Sequence, residues 1–218
     1  VDALTGTIIG RPKSATFRTA DIVGLDTMQF VAKTAYDKCL DDPEREIFKL
    51  PKYLSKMIDN KWLGQKTKQG FYKKIDKGVI HSIDLDTLEY TPQNKKRYPG
   101  VRLAKENVKL KDRLKALVNS DDSAGQFVWE VTAKALLYSA NRLGEIADDI
   151  VNIDRAMRWG FGWELGPFEA WNAIGVVESV ERMKKENKAI PQWVSEMLSA
   201  GNTSFYTRME GFNCYWDV

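Results

Sequence analysis

A lysine on a glycine-bounded loop can reach a phosphate or a ribose as a mobile point charge. Gly64-Gln65-Lys66-Thr67-Lys68-Gln69-Gly70-Phe71-Tyr72 is such a loop. Other constellations carry less. Gly160-Phe161-Gly162-Trp163-Glu164-Leu165-Gly166 looks like a dinucleotide fingerprint with one residue too many. A phosphate loop needs a strand before it and a helix N-terminus after it, so that backbone amides meet the pyrophosphate. Here a helical stretch, Asp154 to Trp159, comes first, so the glycines read as a tight interhelical turn. His81 is the only histidine and has no Ser, Cys or acidic partner at a telling spacing, so it reads as a surface or satisfied residue. Without a second histidine and with isolated cysteines, no metal set is expected. Glu145, Asp148 and Asp149 read as the solvated end of an amphipathic helix, and Lys95-Lys96-Arg97, with their Pro and Gly flanks, as a linker.

Helices must position the Lys66 loop. Phe17 through Val31 has roughly helical apolar spacing, behind Ser14 and Thr16 as candidate N-caps. Leu50-Pro51 opens another helix, with Tyr53, Leu54, Met57 and Ile58 on one side. Residues 79–90 suggest a short hairpin turning at 84–87. Residues 92–100 read as a solvated connector. Ser123 can cap the clearest helix, whose apolar face is expected to run Phe127, Val131, Ala135, Leu136, Leu143, Ile146 and Ile150. Two further helices are expected, Phe168 to Lys185 and one opened by Pro191.

The chain holds its own pattern twice. Leu50-Pro51-Lys52-Tyr53-Leu54-Ser55-Lys56-Met57-Ile58 returns as Ile190-Pro191-Gln192-Trp193-Val194-Ser195-Glu196-Met197-Leu198, and each leads to an aromatic pair, Phe71-Tyr72 or Phe205-Tyr206. Upstream, Val1-Asp2 is echoed by Ile153-Asp154, Ala15-Thr16-Phe17 by Gly166-Pro167-Phe168, and Asp21 to Leu25 by Asn172 to Val176. Matched blocks in one order argue for two copies of one unit. We expect an all-α fold of two related helical domains with a minor β-hairpin. The domains are expected at 1–115 and 116–218, the second trimmed. The second copy keeps only Asn202-Thr203-Ser204 before its aromatic pair, and this asymmetry is what a site retained in one copy would produce. Copy one starts mid-unit, so the chain is expected to be a piece of a longer protein.

Composition sets bounds. Hydrophobic residues make up 43%, with seven Trp, eight Tyr and nine Phe, enough apolar material for a real core. No apolar run approaches the length of a membrane span. The net charge of +3 is too mild to imply a nucleic-acid partner. Cys39 and Cys214, two thiols far apart, point to a reduced intracellular compartment, and a cytoplasmic location is expected.

Asp21-Ile22-Val23-Gly24-Leu25-Asp26, the loop from Gly64 to Tyr72, and Gly166-Pro167-Phe168-Glu169 resemble the C-terminal domain of 3-hydroxyacyl-CoA dehydrogenases. The tandem arrangement resembles the multifunctional enzymes of fatty-acid β-oxidation, and the resemblance spans nearly the whole chain. It implies a C-terminal fold like that of 6-phosphogluconate dehydrogenase. It also implies oxidation of an L-3-hydroxyacyl-CoA to the 3-ketoacyl-CoA with hydride passed to NAD. The family's His–Glu pair and Gly-rich loop lie in a preceding dinucleotide-binding domain and are absent here, so no catalytic residue is expected in this chain, and the chain alone is expected to be inactive. The resemblance implies that Lys66 contacts the nicotinamide cofactor. It implies that NAD is bound mainly by the absent domain, and that acyl-CoA is met through the full-length protein. The first helix of copy one, with the family's Asn-Arg pair, is missing. Asn141-Arg142 resembles that pair but lies in the non-catalytic copy. A homodimer is compatible with the reading. The alternatives are a helical scaffold or dimerisation module in which Lys66 has no role, and a different member of the superfamily of β-hydroxyacid dehydrogenases, against which the tandem copy argues.

Overall fold

The computed structural model describes residues 1–75, 78–94, 96–209 and 212–217, with Met209, Phe212 and Asn213 described as backbone only. By contact the chain forms two compact units, one of Val1–Asp2 with Ser14–Lys96 and one of Ala3–Lys13 with Arg97–Val218. Ala104, Leu114, Leu117 and Val118 bury their side chains in the core of the second unit. Lys95, part of the expected linker, lies outside the described residues.

In the first unit, α1 (Asp2–Thr5) contributes its first residue. The unit then contains α2 (Phe17–Val23), α3 (Leu25–Lys38), α4 (Lys52–Asp59), short 3-10 turns at Arg45–Phe48 and Gln65–Thr67, and β1 (Tyr72–Lys74), β2 (Ile80–Ile83) and β3 (Tyr90–Pro92). Its strands form an antiparallel sheet in the order β1-β2-β3, so the expected hairpin gains a third strand. Asp84 shapes the hairpin turn by accepting from the amides of Asp86 at 3.0 Å and Thr87 at 2.9 Å. The core is Leu25, Leu54, Met57, Phe71 and Ile83.

The second unit takes in the rest of α1, a 3-10 turn at Thr7–Ile9, α5 (Pro99–Glu106), α6 (Leu110–Val118), α7 (Ser123–Asn141), α8 (Ile150–Phe161), α9 (Pro167–Ile174), α10 (Val176–Lys185), α11 (Gln192–Ser199) and a hairpin of β4 (Tyr206–Met209) and β5 (Phe212–Tyr215). Helices dominate both units, as expected. No described helix is long and apolar enough to cross a membrane.

Four local expectations are corrected. Neither Phe17–Val31 nor Phe168–Lys185 is one helix: each breaks at a glycine, Gly24 at φ 102° and Gly175 at φ 104°. Only glycine takes that backbone conformation cheaply, and both glycines sit inside apolar-periodic runs that hid the break. The long helix stops at Asn141, before a turn held by the Glu145 amide on the Arg142 carbonyl. Leu143, Ile146 and Ile150 are therefore not on it. Its buried face is Val128, Trp129, Thr132, Ala133, Leu136 and Ala140, because nearly every side is apolar and periodicity alone could not set the phase. Its cap is Asp122, which accepts from the amides of Ala124 and Gly125, and not Ser123. The stretch read as connector ends in Pro99, which opens α5 in the first turn, where a missing N–H costs nothing.

Candidate functional site

The repeat is written in hydrogen bonds as well as in residue types. In the first unit Asp2 accepts from the amides of Phe17 at 2.7 Å and Arg18 at 2.9 Å, and from the Tyr72 hydroxyl at 2.8 Å. In the second, Asp154 accepts from the amides of Phe168 at 2.8 Å and Glu169 at 3.0 Å, and from the Tyr206 hydroxyl at 2.8 Å. Phe17, Tyr53 and Phe71 meet as an aromatic trio, as do Phe168, Trp193 and Phe205. Each carboxylate ties a helix start to a strand, β1 after α4 in the first copy and β4 after α11 in the second. These aromatics are packing, as their recurrence predicts.

The copies part where the loop is inserted. Nine residues separate Lys61 from Phe71, and three separate Gly201 from Phe205. In the first copy, buried Asp21 accepts from the amides of Phe71 at 2.8 Å and Tyr72 at 2.9 Å. Its counterpart Asn172 accepts from the Phe205 amide at 2.7 Å and donates to the Tyr206 carbonyl at 3.0 Å. The change of residue has a cause in the loop. The Tyr72 carbonyl takes its hydrogen bond from the Gly70 amide at 3.2 Å. The second copy lacks that glycine, so its carbonyl needs the donor that an amide side chain supplies and a carboxylate cannot.

The loop itself is held firmly. Gly64 and Gln69 exchange backbone hydrogen bonds at 2.7 and 3.1 Å, and the Thr67 hydroxyl accepts from the Leu63 amide at 2.9 Å. Gly64 and Gly70 press on Asp21: a Cβ on Gly64 would strike its backbone, and one on Gly70 its carboxylate. Burial pushes the Asp21 carboxyl above the usual carboxylate range, against the pull of the two amides. Burial and the Asp2 carboxylate likewise push the Tyr72 hydroxyl well up, so it stays a donor.

Lys66 rides on this loop, and its Nζ lies 2.5 Å from both oxygens of Asp26 in the first turn of α3. The pair is partly open, with side-chain exposures of 46% and 32%. The lysine's hydrogen bond holds the Asp26 carboxyl below its ordinary range. The mobile point charge expected from the sequence is thus an ion-paired one that stands outside the neighbouring cavity. That cavity, of about 720 Å³, is lined instead by Arg18, Lys68 and Lys74, together with Tyr72, Ile80, Gln93, Asp2, Asp21 and Gln65.

The other candidates take structural places. His81 sits in β2 with Nδ1 3.4 Å from the Tyr90 carbonyl. Glu145 pairs with Arg142 at 2.8 Å, and Asp149 caps α8 through the Asn152 amide at 2.7 Å. Gly162 ends α8 in the left-handed region and Gly166 starts α9, so the glycine run is an interhelical turn. Cys39 and Cys214 form no disulfide. No group of three metal-ligating side chains occurs among the described residues. Sequence reasoning missed Asp2, Arg18 and Lys68. Asp2 had a signal, since an acid recurs at the same place in both copies; the cations had none.

Residues 1–74 match the family model of the 3-hydroxyacyl-CoA dehydrogenase, C-terminal domain. The chain is 50% identical, over 217 residues, to a Bacillus subtilis (strain 168) protein named "Probable 3-hydroxyacyl-CoA dehydrogenase"; the match covers 100% of this chain and 27% of that protein, in its C-terminal part. It is 26% identical to the "Putative fatty acid oxidation complex trifunctional enzyme" of Rickettsia felis, over 80% of this chain and 24% of that one. A Deinococcus radiodurans protein with the same name as the Bacillus relative is 46% identical over 34% of this chain and 20% of its own. The chain spans about a quarter of the length of these two relatives, the Bacillus and Rickettsia felis proteins.

Proposed function

We propose that a chain carrying this family's C-terminal domain in its first 74 residues is the helical C-terminal part of an NAD-dependent 3-hydroxyacyl-CoA dehydrogenase of fatty-acid β-oxidation. The parent takes hydride from C3 of an L-3-hydroxyacyl-CoA and a proton from its hydroxyl, leaving the 3-ketoacyl-CoA. NAD, when bound, supplies the hydride acceptor. The base and the dinucleotide-binding fold belong to a preceding domain, and the acyl-CoA is met through the full-length protein in the cytoplasm. The observation that carries this reading is the 50% identity along the whole chain.

Within the parent, the chain closes the substrate cleft as two repeats, 1–115 and 116–218. An uncovered face supports this. Val23 and Met28 are 52% and 39% exposed, while their repeat counterparts Ile174 and Ser179 are 3% exposed. In the second unit α7 packs on α9. Copy one takes the equivalent cover from the preceding part of the parent, its own dinucleotide-binding domain included. Lys66 fits a rim contact to the cofactor. Its ammonium is half open and can share itself between Asp26 and a phosphate or ribose oxygen, a role one lysine fills as a point charge.

The second reading is a scaffold or dimerisation module, favoured by the Asp26 pairing of Lys66 and by the exposed apolar face. Lys66→Ala in the full-length protein separates the two. A raised KM for NAD with intact folding supports the cofactor contact, and an unchanged KM supports the scaffold.

A further inference from the structure

The cavity beside the Lys66 loop has a pattern that neither the reaction nor the fold requires. Arg18, Lys68 and Lys74 line it, and none of them has a carboxylate within 4 Å among the described residues. The acids in the same wall are already committed. Asp2 uses both oxygens on three amides and the Tyr72 hydroxyl, and Asp21 uses both on amides. Among the described lining residues, three cations stand against two such carboxylates.

Lys68 adds a second, independent observation. It lies in the left-handed region at φ 59°, where a non-glycine residue is strained. Its amide is tied to the Gln65 carbonyl at 3.1 Å. Glycine would serve the turn at lower cost, yet a lysine stands there and its side chain lines the cavity. The Arg18 guanidinium is likewise positioned, donating to Gln65 Oε1 at 3.0 Å. The Tyr72 ring and Ile80 supply an apolar side, and Gln93 an amide able both to donate and to accept. The volume of about 720 Å³ is that of a small-molecule site. The second copy has no counterpart of Gln65 or Lys68.

We infer that this cavity binds a phosphorylated small molecule of nucleotide size. Its phosphate is held by Arg18, Lys68 and Lys74, and its ring system lies toward Tyr72 and Ile80. The site is separate from Lys66 and does not depend on the dehydrogenase reaction.

Titration calorimetry of the 218-residue chain with adenosine 3′,5′-bisphosphate, inorganic phosphate and adenosine tests this, with circular dichroism and thermal melts as controls of folding. The inference predicts saturable 1:1 binding of the bisphosphate, at least about tenfold tighter than either fragment, weakening with salt. Arg18→Ala and Lys68→Ala each weaken it about tenfold, the worth of one charge-assisted hydrogen bond. Lys68→Gly suits the left-handed backbone, so it keeps the melting midpoint while losing the affinity. Lys66→Ala leaves binding within about twofold, since one lost surface charge contributes little at a distance. The inference is overturned by a folded chain that shows no saturable binding. Phosphate binding as tightly as the bisphosphate (an adventitious ion only) overturns it, and so does Lys68→Gly binding unchanged. Because no turnover is read, failure here leaves the dehydrogenase reading untouched.

Discussion

The Tyr72 hydroxyl donates to Asp2 at 2.8 Å across seventy residues of chain, and the Tyr206 hydroxyl donates to Asp154 at the same distance across fifty-two. In both copies the bond joins an early acid to the strand that follows the matched helix, β1 after α4 and β4 after α11. Tyr206→Phe removes one of three donors from a buried carboxylate. It should cost about 1–3 kcal/mol, the penalty for an under-satisfied buried group, read as a lower urea midpoint. Tyr72→Phe should act in the same direction.

Asp154 also sets a pH dependence. Burial pushes its carboxyl up to about 6 from an ordinary 3.8, even with three donors around it. A raised carboxyl takes up a proton on folding between those values. Its contribution therefore stabilises the fold as pH falls from 6 toward 4, and is lost as pH rises through 6. The full span is worth up to about 3 kcal/mol. Urea unfolding of wild type and Asp154→Asn from pH 4 to 7.5 checks this: the stability difference should change with pH in that window and be flat above it.

Asn172→Asp restores the residue of the first copy without the loop that makes it workable. The Tyr206 carbonyl loses its side-chain donor, and a charge enters a half-buried position. The expected loss is about 1–3 kcal/mol in thermal or chemical denaturation. The mirror change, Asp21→Asn, replaces a buried acceptor of two amides by a group with only one acceptor atom, and should also destabilise.

Gly70→Ala places a methyl group against the Asp21 carboxylate. The loop must shift, at about 1–3 kcal/mol, and Lys66 and Lys68 shift with it. By contrast, Val23→Ser at the exposed end of α2, where Val23 is 52% exposed, should change the stability of the 218-residue chain by less than about 0.5 kcal/mol. In the full-length protein, where we propose that this face is covered, the same change should lower the melting midpoint.

The parts legible in the sequence were those fixed by repetition. Met57 and Met197, Leu54 and Val194, and Phe71 and Phe205 fill matching places in two cores, so one copy vouched for the other. Helix breaks at Gly24 and Gly175 were hidden because apolar spacing continues across them. The phase of α7 was hidden because most of its sides are apolar. Asp2 meets partners 15 and 70 residues away, and Arg18, Lys68 and Lys74 come together only through the loop and sheet. No local pattern records such a meeting. Lys66 stood out as a lysine of the inserted loop, but its Asp26 partner, forty residues away, was not visible.

The central claim is tested most directly by acetoacetyl-CoA-dependent oxidation of NADH, measured on the full-length protein and on the 218-residue chain side by side. The account predicts turnover by the full-length protein and none by the chain alone. A folded full-length protein that leaves NADH untouched, or a chain that turns over without the rest, would contradict it.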